Sequence, residues 1–383
     1  MWYYQSRMPK LKTFIIILLI ALIPTFLVWT PFYLKLSEFW NIPLPENGMS
    51  TIVSNFDGPL YIVAEKTMYN PELIGKNYQF PLSNEYYSAH FPFFPMLIKL
   101  FAPILGHTYS MLFVTLLGSV LATYFFYLHS KKYLSEKDSL WLTLVFSVLP
   151  ARWLIVKSVG SPEPLFIAAI LASTYFFSQK KYIFAGLWGI VAQMTKSPGI
   201  LLFIAYFIQI VVENLKNIKE IFSTKYIPLL IIPFGVFIVF SLYGITYNDF
   251  FVYFKSGDNM HLFFPPFQIF NYSAPWVGTF WLEEVIFIYL LGVLGIYNLY
   301  KEKLTTYFYF AITFFIPLLF VAHRDLMRYA LPVVPFLILG YKDFLIKKEF
   351  KIALFIIIIP IYLYSLAFIS QNTMPISNWA PFL

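Results

Sequence analysis

Apolar runs of near-membrane length, separated by short polar links, pattern the whole chain. The first extends from about Thr13 to Leu34, behind Arg7, Lys10 and Lys12. It has no small-residue cleavage site, so it reads as an uncleaved anchor rather than a signal peptide. Ten further runs fall at about 108–129, 139–156, 163–178, 182–195, 198–212, 226–246, 283–300, 304–322, 329–346 and 351–370. A helix needs roughly 20 apolar residues to cross a bilayer. The pattern therefore predicts an all-α polytopic membrane protein of about 11 transmembrane helices, organised as one integral-membrane domain over 1–383. Pro24, Pro150, Pro198, Pro233, Pro317, Pro332, Pro335 and Pro360 fall within or at the ends of these runs. In a membrane, neighbouring helices can satisfy the carbonyls that proline frees.

Two connections are long: 35–107 after the first run, and 247–282, rich in Phe, Pro and Tyr. A tail of 371–383 follows the last run. Within the first loop, Pro92–Leu105 is too short and too rich in proline to span, and it predicts an interfacial helix at headgroup level. Alternating the connections between two sides puts 17 of the 27 Lys and Arg, but 7 of the 19 Asp and Glu, on the side of the N-terminus. By the positive-inside rule that side is cytoplasmic, and both long loops face outward. A plasma membrane is implied, or the endoplasmic reticulum in a eukaryote. The formal charge of +8 is thereby a topology signal and gives no support for a nucleic-acid partner.

Composition closes off other classes. Only 12% of the 383 residues are charged while 59% are hydrophobic, against about 25% charged in soluble domains. Zero cysteines exclude disulfides, thiolate nucleophiles and Cys-ligated metal. The histidines His90, His261 and His323 show no metal-ligand spacing, and neither the phosphate-binding nor the dinucleotide-binding glycine motif is present. No cofactor or metal is expected.

The sparse charges of the outward segments are the candidates for chemistry. In Asn55-Phe56-Asp57-Gly58-Pro59-Leu60-Tyr61, a carboxylate held beside aromatic neighbours is expected to gain proton affinity and suit general-base work. A plain Asx turn explains the same Asp-Gly pair. His90-Phe91-Pro92-Phe93-Phe94-Pro95 makes a rigid aromatic ledge for a lipid chain, or an interfacial anchor. Ser161-Pro162-Glu163-Pro164 places Glu163 at a helix start, where it is either a dipole-favoured acid or an intramembrane functional group. Of 27 basic residues only 4 are Arg, and Arg152, Arg324 and Arg328 fall on the outward side. In His323-Arg324-Asp325-Leu326-Met327-Arg328-Tyr329, two arginines four apart share a face if the segment is helical, and they suit a phosphate. Interfacial snorkelling is the alternative.

Together these segments resemble the GPI mannosyltransferase 2 (PIG-V-like) family of integral-membrane glycosyltransferases, in the GT-C class. Phe56-Asp57-Gly58 with Tyr61 and Ala64 is similar to its Trp-Asp-Gly-x-x-Tyr segment, and His90 to Pro95 to its Ala-Phe-Phe-Pro segment. Ser161 to Phe166 is similar to Tyr-Ser-Glu-Ser-Leu-Phe, and Arg328-Tyr329 with Pro332 and Pro335 to the Arg-Tyr before a late proline-rich span. Thr195-Lys196-Ser197-Pro198-Gly199 corresponds loosely to an Arg-x-Asn-Gly turn, with Lys196 for Arg and Pro198 for Asn. The resemblance implies a GT-C-like bundle, a polyprenyl- or dolichyl-phosphate sugar donor, a lipid or glycan acceptor, and an outward active site with a catalytic acid in the first loop. On that reading Asp57 is the general base and Arg324, Arg328 and Lys196 hold the donor phosphate, with Tyr61, His90, Glu163, His323 and Tyr329 supporting. The transferred sugar is a hexose, mannose in the family it resembles. A transporter or flippase of a lipid-linked saccharide is the rival, and a noncatalytic membrane subunit the third reading.

Overall fold

The computed structural model describes residues 9–78, 80–257, 261–271 and 280–383. Arg7, counted above among the inside charges, and parts of the 247–282 loop lie outside the described residues. The first apolar run forms α1 (Leu11–Tyr33). After it come a short antiparallel pair, β1 (Glu38–Phe39) and β2 (Ile42–Pro43), and three small helices: α2 (Met49–Val53), α3 (Gly58–Thr67) and α4 (Pro71–Asn77). The Asn70 side chain caps α4 by accepting from the backbone N–H groups of Glu72 and Leu73, as helix starts favour. The proline-rich stretch forms α5 (Phe93–Leu105), which turns through Gly106 into α6 (His107–Ser130).

Two segments expected as single spans are broken. Over 139–156 the chain forms α7 (Glu136–Val148) and α8 (Ala151–Val156), with Leu149 extended between them. Pro150 causes this break: it offers no N–H and disfavours helical backbone in the residue before it. The middle of the bundle follows as α9 (Glu163–Ser178), α10 (Tyr182–Thr195), α11 (Ile200–Glu213), α12 (Ile218–Ile221) and α13 (Ile231–Thr246). Then come α14 (Glu284–Lys301), α15 (Thr305–Leu318), α16 (Leu326–Ala330), α17 (Val334–Gly340), α18 (Lys342–Leu345) and α19 (Lys348–Gln371). The expected span 329–346 is thus divided among three short helices, with turns around Pro332 and Tyr341.

The described chain is mostly helical, and five of its helical stretches are long and apolar enough to cross a membrane: Leu11–Tyr33, His107–Ser130, Thr224–Thr246, Glu284–Lys301 and Lys348–Gln371. The most apolar window of α19 has a mean hydropathy of 2.6, yet only 28% of it is buried. A helix that is apolar and uncovered needs a lipid solvent. By contrast α9 is buried along nearly its whole length, between α6 and α10.

The inner helices are short. The 16 residues of α9 and the 14 of α10 extend about 21–24 Å, against roughly 30 Å of bilayer hydrocarbon. Gly118 lets α6 and α9 meet, because a Cβ there would lie 2.5 Å from the Leu165 nitrogen. Gly118 stands roughly 16 Å along α6 from its His107 end. The first turn of α9, with Glu163, is therefore recessed within the length of α6.

Candidate functional site

Four charged side chains from distant parts of the sequence meet at the recessed start of α9. Arg328, on α16, donates from Nη2 to Asp57 Oδ2 at 3.0 Å and from Nε to Glu163 Oε1 at 2.7 Å. Lys196, at the end of α10, donates to the same Glu163 oxygen at 2.6 Å. The other Glu163 oxygen accepts from the Ser161 hydroxyl. Glu163 thus stands in the first turn of α9, where the helix dipole favours an acid, and also anchors ion pairs with its neighbours. Its side chain is 3% exposed, that of Arg328 16%, and that of Asp57 34%. Glu163 is the hidden foundation, and Asp57 and Lys196, the latter 28% exposed, are the open members.

Backbone features bring Asp57 there. Gly58 packs so tightly that a Cβ would lie 2.9 Å from the Val53 carbonyl and 3.2 Å from that of Gly160. Phe56 takes φ +47°, a left-handed conformation that costs a bulky residue of order 1–3 kcal/mol. Neighbouring contacts hold it: Asn55 donates from Nδ2 to the Ile369 carbonyl at 2.7 Å, the Phe56 N–H donates to the Asn372 carbonyl, and the Met374 N–H to that of Ser54. The segment after α19 therefore clamps the Asp57 turn. The Phe56 ring lies 4.5 Å from the Arg328 guanidinium carbon and 5.6 Å from the Phe368 ring, which in turn covers Arg152 at 3.8 Å.

The electrostatics correct one expectation. Burial pushes the Asp57 carboxyl up, but Arg328, His90 and the Arg328 hydrogen bond together hold it below the ordinary 3.8. The acid with raised proton affinity is Asp325, where burial outweighs the opposing Arg152. Asp325 Oδ1 lies 3.0 Å from Arg152 Nε, in an ion pair without hydrogen-bond alignment. His90 is buried, and burial holds it below its usual value, opposed by Asp57. Its ring meets Tyr61 edge-on at 4.8 Å, and Tyr61 meets Phe94 at 5.1 Å. The aromatic ledge is thus a packed support under Asp57.

The expected pairing of Arg324 with Arg328 on one face does not occur. The helix starts only at Leu326, which leaves Arg324 exposed with no carboxylate partner among the described residues. His323 and Tyr329 stay at this rim: the His323 ring lies tilted against His261 at 4.5 Å and meets Tyr329 edge-on at 5.3 Å. Burial, then His261 and Arg328, push His323 down to about 4. Arg152, Lys196 and Arg328 match Asp57, Glu163 and Asp325 in charge, and exposed Arg324, next to Asp325 in the chain, adds one positive charge at the rim. Such a rim favours an anionic ligand.

The sequence reading did not single out Ser161, Asn55, Asn372 or Phe368. Ser161 and Asn55 each stand two residues before a candidate acid, Glu163 and Asp57, whereas the Asn55–Asn372 clamp joins residues too distant for any spacing to connect. A separate buried cation, Lys157, donates to the Ala21 carbonyl at 3.1 Å and the Ser147 hydroxyl at 2.7 Å. No protein-family model matches this chain, and no curated protein matches it.

Proposed function

We propose that the protein is a GT-C-like glycosyltransferase with about 11 membrane crossings and an outward-facing site. It would move a hexose from a polyprenyl- or dolichyl-phosphate sugar to a hydroxyl on a lipid or glycan acceptor. The observation that carries this reading is the Asp57–Arg328–Glu163–Lys196 network, recessed at the ends of helices too short to span. An accessible carboxylate beside two cations, with exposed Arg324 at the rim, suits a reaction that removes a proton from one oxygen and releases an anion on another.

In this mechanism Asp57 takes the acceptor hydroxyl proton as that oxygen attacks the anomeric carbon. The bond from the anomeric carbon to the phosphate oxygen breaks, the lipid phosphate leaves with the electron pair, and the sugar inverts. Arg324 and Lys196 meet the incoming phosphate, and Arg328 turns toward it as charge develops. In the resting arrangement Arg328 depresses the basicity of Asp57. A donor phosphate that draws Arg328 away restores it, so the base strengthens only when the donor is in place. Glu163 keeps Arg328 within reach of both positions. The ledge of His90, Phe91 and Phe94 supports the Asp57 turn from below, with the lipid chain running outward over the apolar helices.

A flippase reading draws on Lys157, whose bond to the Ala21 carbonyl puts a cation midway along α1, where transport paths carry polar groups. One experiment separates the two. Purified protein in sealed vesicles receives a labelled polyprenyl-phosphate hexose on one face, with acceptor lipid present. Label in a new glycosylated product supports the transferase; label that crosses the bilayer still bonded to its polyprenyl carrier supports the flippase and overturns the proposal.

A further inference from the structure

A cavity of about 480 Å³ opens beside the Asp57 turn, between α2 and the 373–379 segment. Its lining includes Asn47, Ser50, Thr51, Ser54, Ser377 and Trp379, with no charged side chain among the described residues that form it. Its volume falls in the range of small-ligand sites. The wall carrying Trp379 is fixed in place. Trp379 packs edge-on against Phe382 at 5.8 Å, and buried Phe382 packs against Tyr78 at 5.3 Å. The Tyr78 hydroxyl donates to the Pro381 carbonyl at 3.1 Å. The opposite wall, α2, leads directly into the Asp57 turn. Ser54 stands three residues before Asp57, so their Cα atoms lie within ~11 Å of each other.

We propose that this cavity is the acceptor subsite, and that it holds an uncharged sugar unit next to the one that receives the transferred hexose. This inference rests on the transferase reading. A pyranose offers an apolar face of C–H groups and a rim of hydroxyls. Trp379 matches the first, and the amide and hydroxyls of Asn47, Ser50, Ser54 and Ser377 match the second, as donors and acceptors in one set. A phosphate or a charged headgroup would call for arginine or lysine here. Those residues stand instead around Arg328, on the donor side. On this proposal one sugar fills the cavity and the unit joined to it meets Asp57, so a disaccharide acceptor is used better than a monosaccharide. The hydrogen bonds of Met374 N–H to Ser54 and of Phe56 N–H to Asn372 tie the cavity to the turn that carries Asp57. An occupied subsite thereby steadies the base.

The test is saturation-transfer NMR on the purified full chain with α-linked mannobiose, mannose and glycerol phosphate. Wild type is compared with Trp379→Ala, Trp379→Tyr and Asn47→Ala, each checked for an unchanged melting temperature. Mannobiose binding that weakens roughly tenfold or more in Trp379→Ala, survives in Trp379→Tyr and exceeds that of mannose and glycerol phosphate supports the subsite. No mannobiose binding to wild type, or equal binding to wild type and Trp379→Ala, overturns it. A parallel transfer assay separates the two proposals. Wild type that binds mannobiose through Trp379 yet transfers no sugar removes the transferase and leaves the sugar site. Wild type that transfers sugar, with an acceptor KM unchanged in Trp379→Ala, removes the subsite and leaves the transferase.

Discussion

Arg328 and Lys157 are both buried cations, and they are stabilised in opposite ways. Arg328 lies between two carboxylates, Asp57 and Glu163, and donates to each. Among the described residues Lys157 has only neutral acceptors, the Ala21 carbonyl and the Ser147 hydroxyl. A cation with partners and an open edge can exchange one anion for another. A cation held by backbone carbonyl and hydroxyl alone has no anion to exchange, so its role is to join α1 to the break between α7 and α8. This difference separates a site from a brace.

The sharpest way to break the comparison is to remove each cation in turn. Arg328→Gln takes from Asp57 its ion-pair partner among the described residues and leaves buried Glu163 with Lys196 alone, and losing one partner of a buried ion pair costs about 3–5 kcal/mol. A marked fall in melting temperature in detergent is expected. Lys157→Met keeps length, gives up two hydrogen bonds to neutral acceptors and relieves the burial of a charge, so its cost is expected to be clearly the smaller of the two. Equal losses from both substitutions would end the distinction between site and brace.

Next in size is a pH effect at the rim. His323 is held at about 4 in the folded chain, against 6.5 when unfolded. Between those values the unfolded chain binds the extra proton, so stability falls as pH drops from 6.5 toward 4. His323→Gln is expected to flatten this part of a melting-temperature profile. Asp57 works in a lower window: its depressed carboxyl contributes stability above 3.8, lost only as pH falls further. The acid limb of a kcat/KM profile, which reports the free enzyme, is expected below the usual carboxylate range and to move upward in Arg328→Lys, where the fork of two hydrogen bonds is lost. The smallest effect belongs to Arg324→Ala. Arg324 is exposed, so stability should change by less than about 0.5 kcal/mol while the donor KM rises. An unchanged donor titration would take Arg324 out of the phosphate site.

Much of the candidate site was legible because charge is so scarce in this sequence. Against an apolar background, Asp57, Glu163 and Arg328 stood out by type and position, Lys196 entered only through the family resemblance, and the structure brings all four together. Their partners were not legible. Two arginines four apart suggested a shared helical face, but α16 starts after Arg324 and turns only Arg328 inward. Aromatic neighbours suggested a more basic Asp57, yet a cation arriving from far along the sequence reverses the effect of burial. Hydropathy located the helices, and it passed over the break at Pro150 and the division of 329–346 because both interrupt a run without making it polar. The clamp of Asn55 by Ile369 and Asn372 joins two ends of the sequence, and no local pattern encodes it.

The most direct test of the account is the rate at which purified protein transfers hexose from a defined polyprenyl-phosphate donor, measured for wild type, Asp57→Asn and Asp325→Asn at matched melting temperature. Loss of a general base costs about 10²–10⁴-fold, so Asp57→Asn should fall by that factor while Asp325→Asn, tied to Arg152, keeps most of its rate. Transfer that persists in Asp57→Asn and disappears in Asp325→Asn would contradict the account and move the base to the acid whose proton affinity is raised.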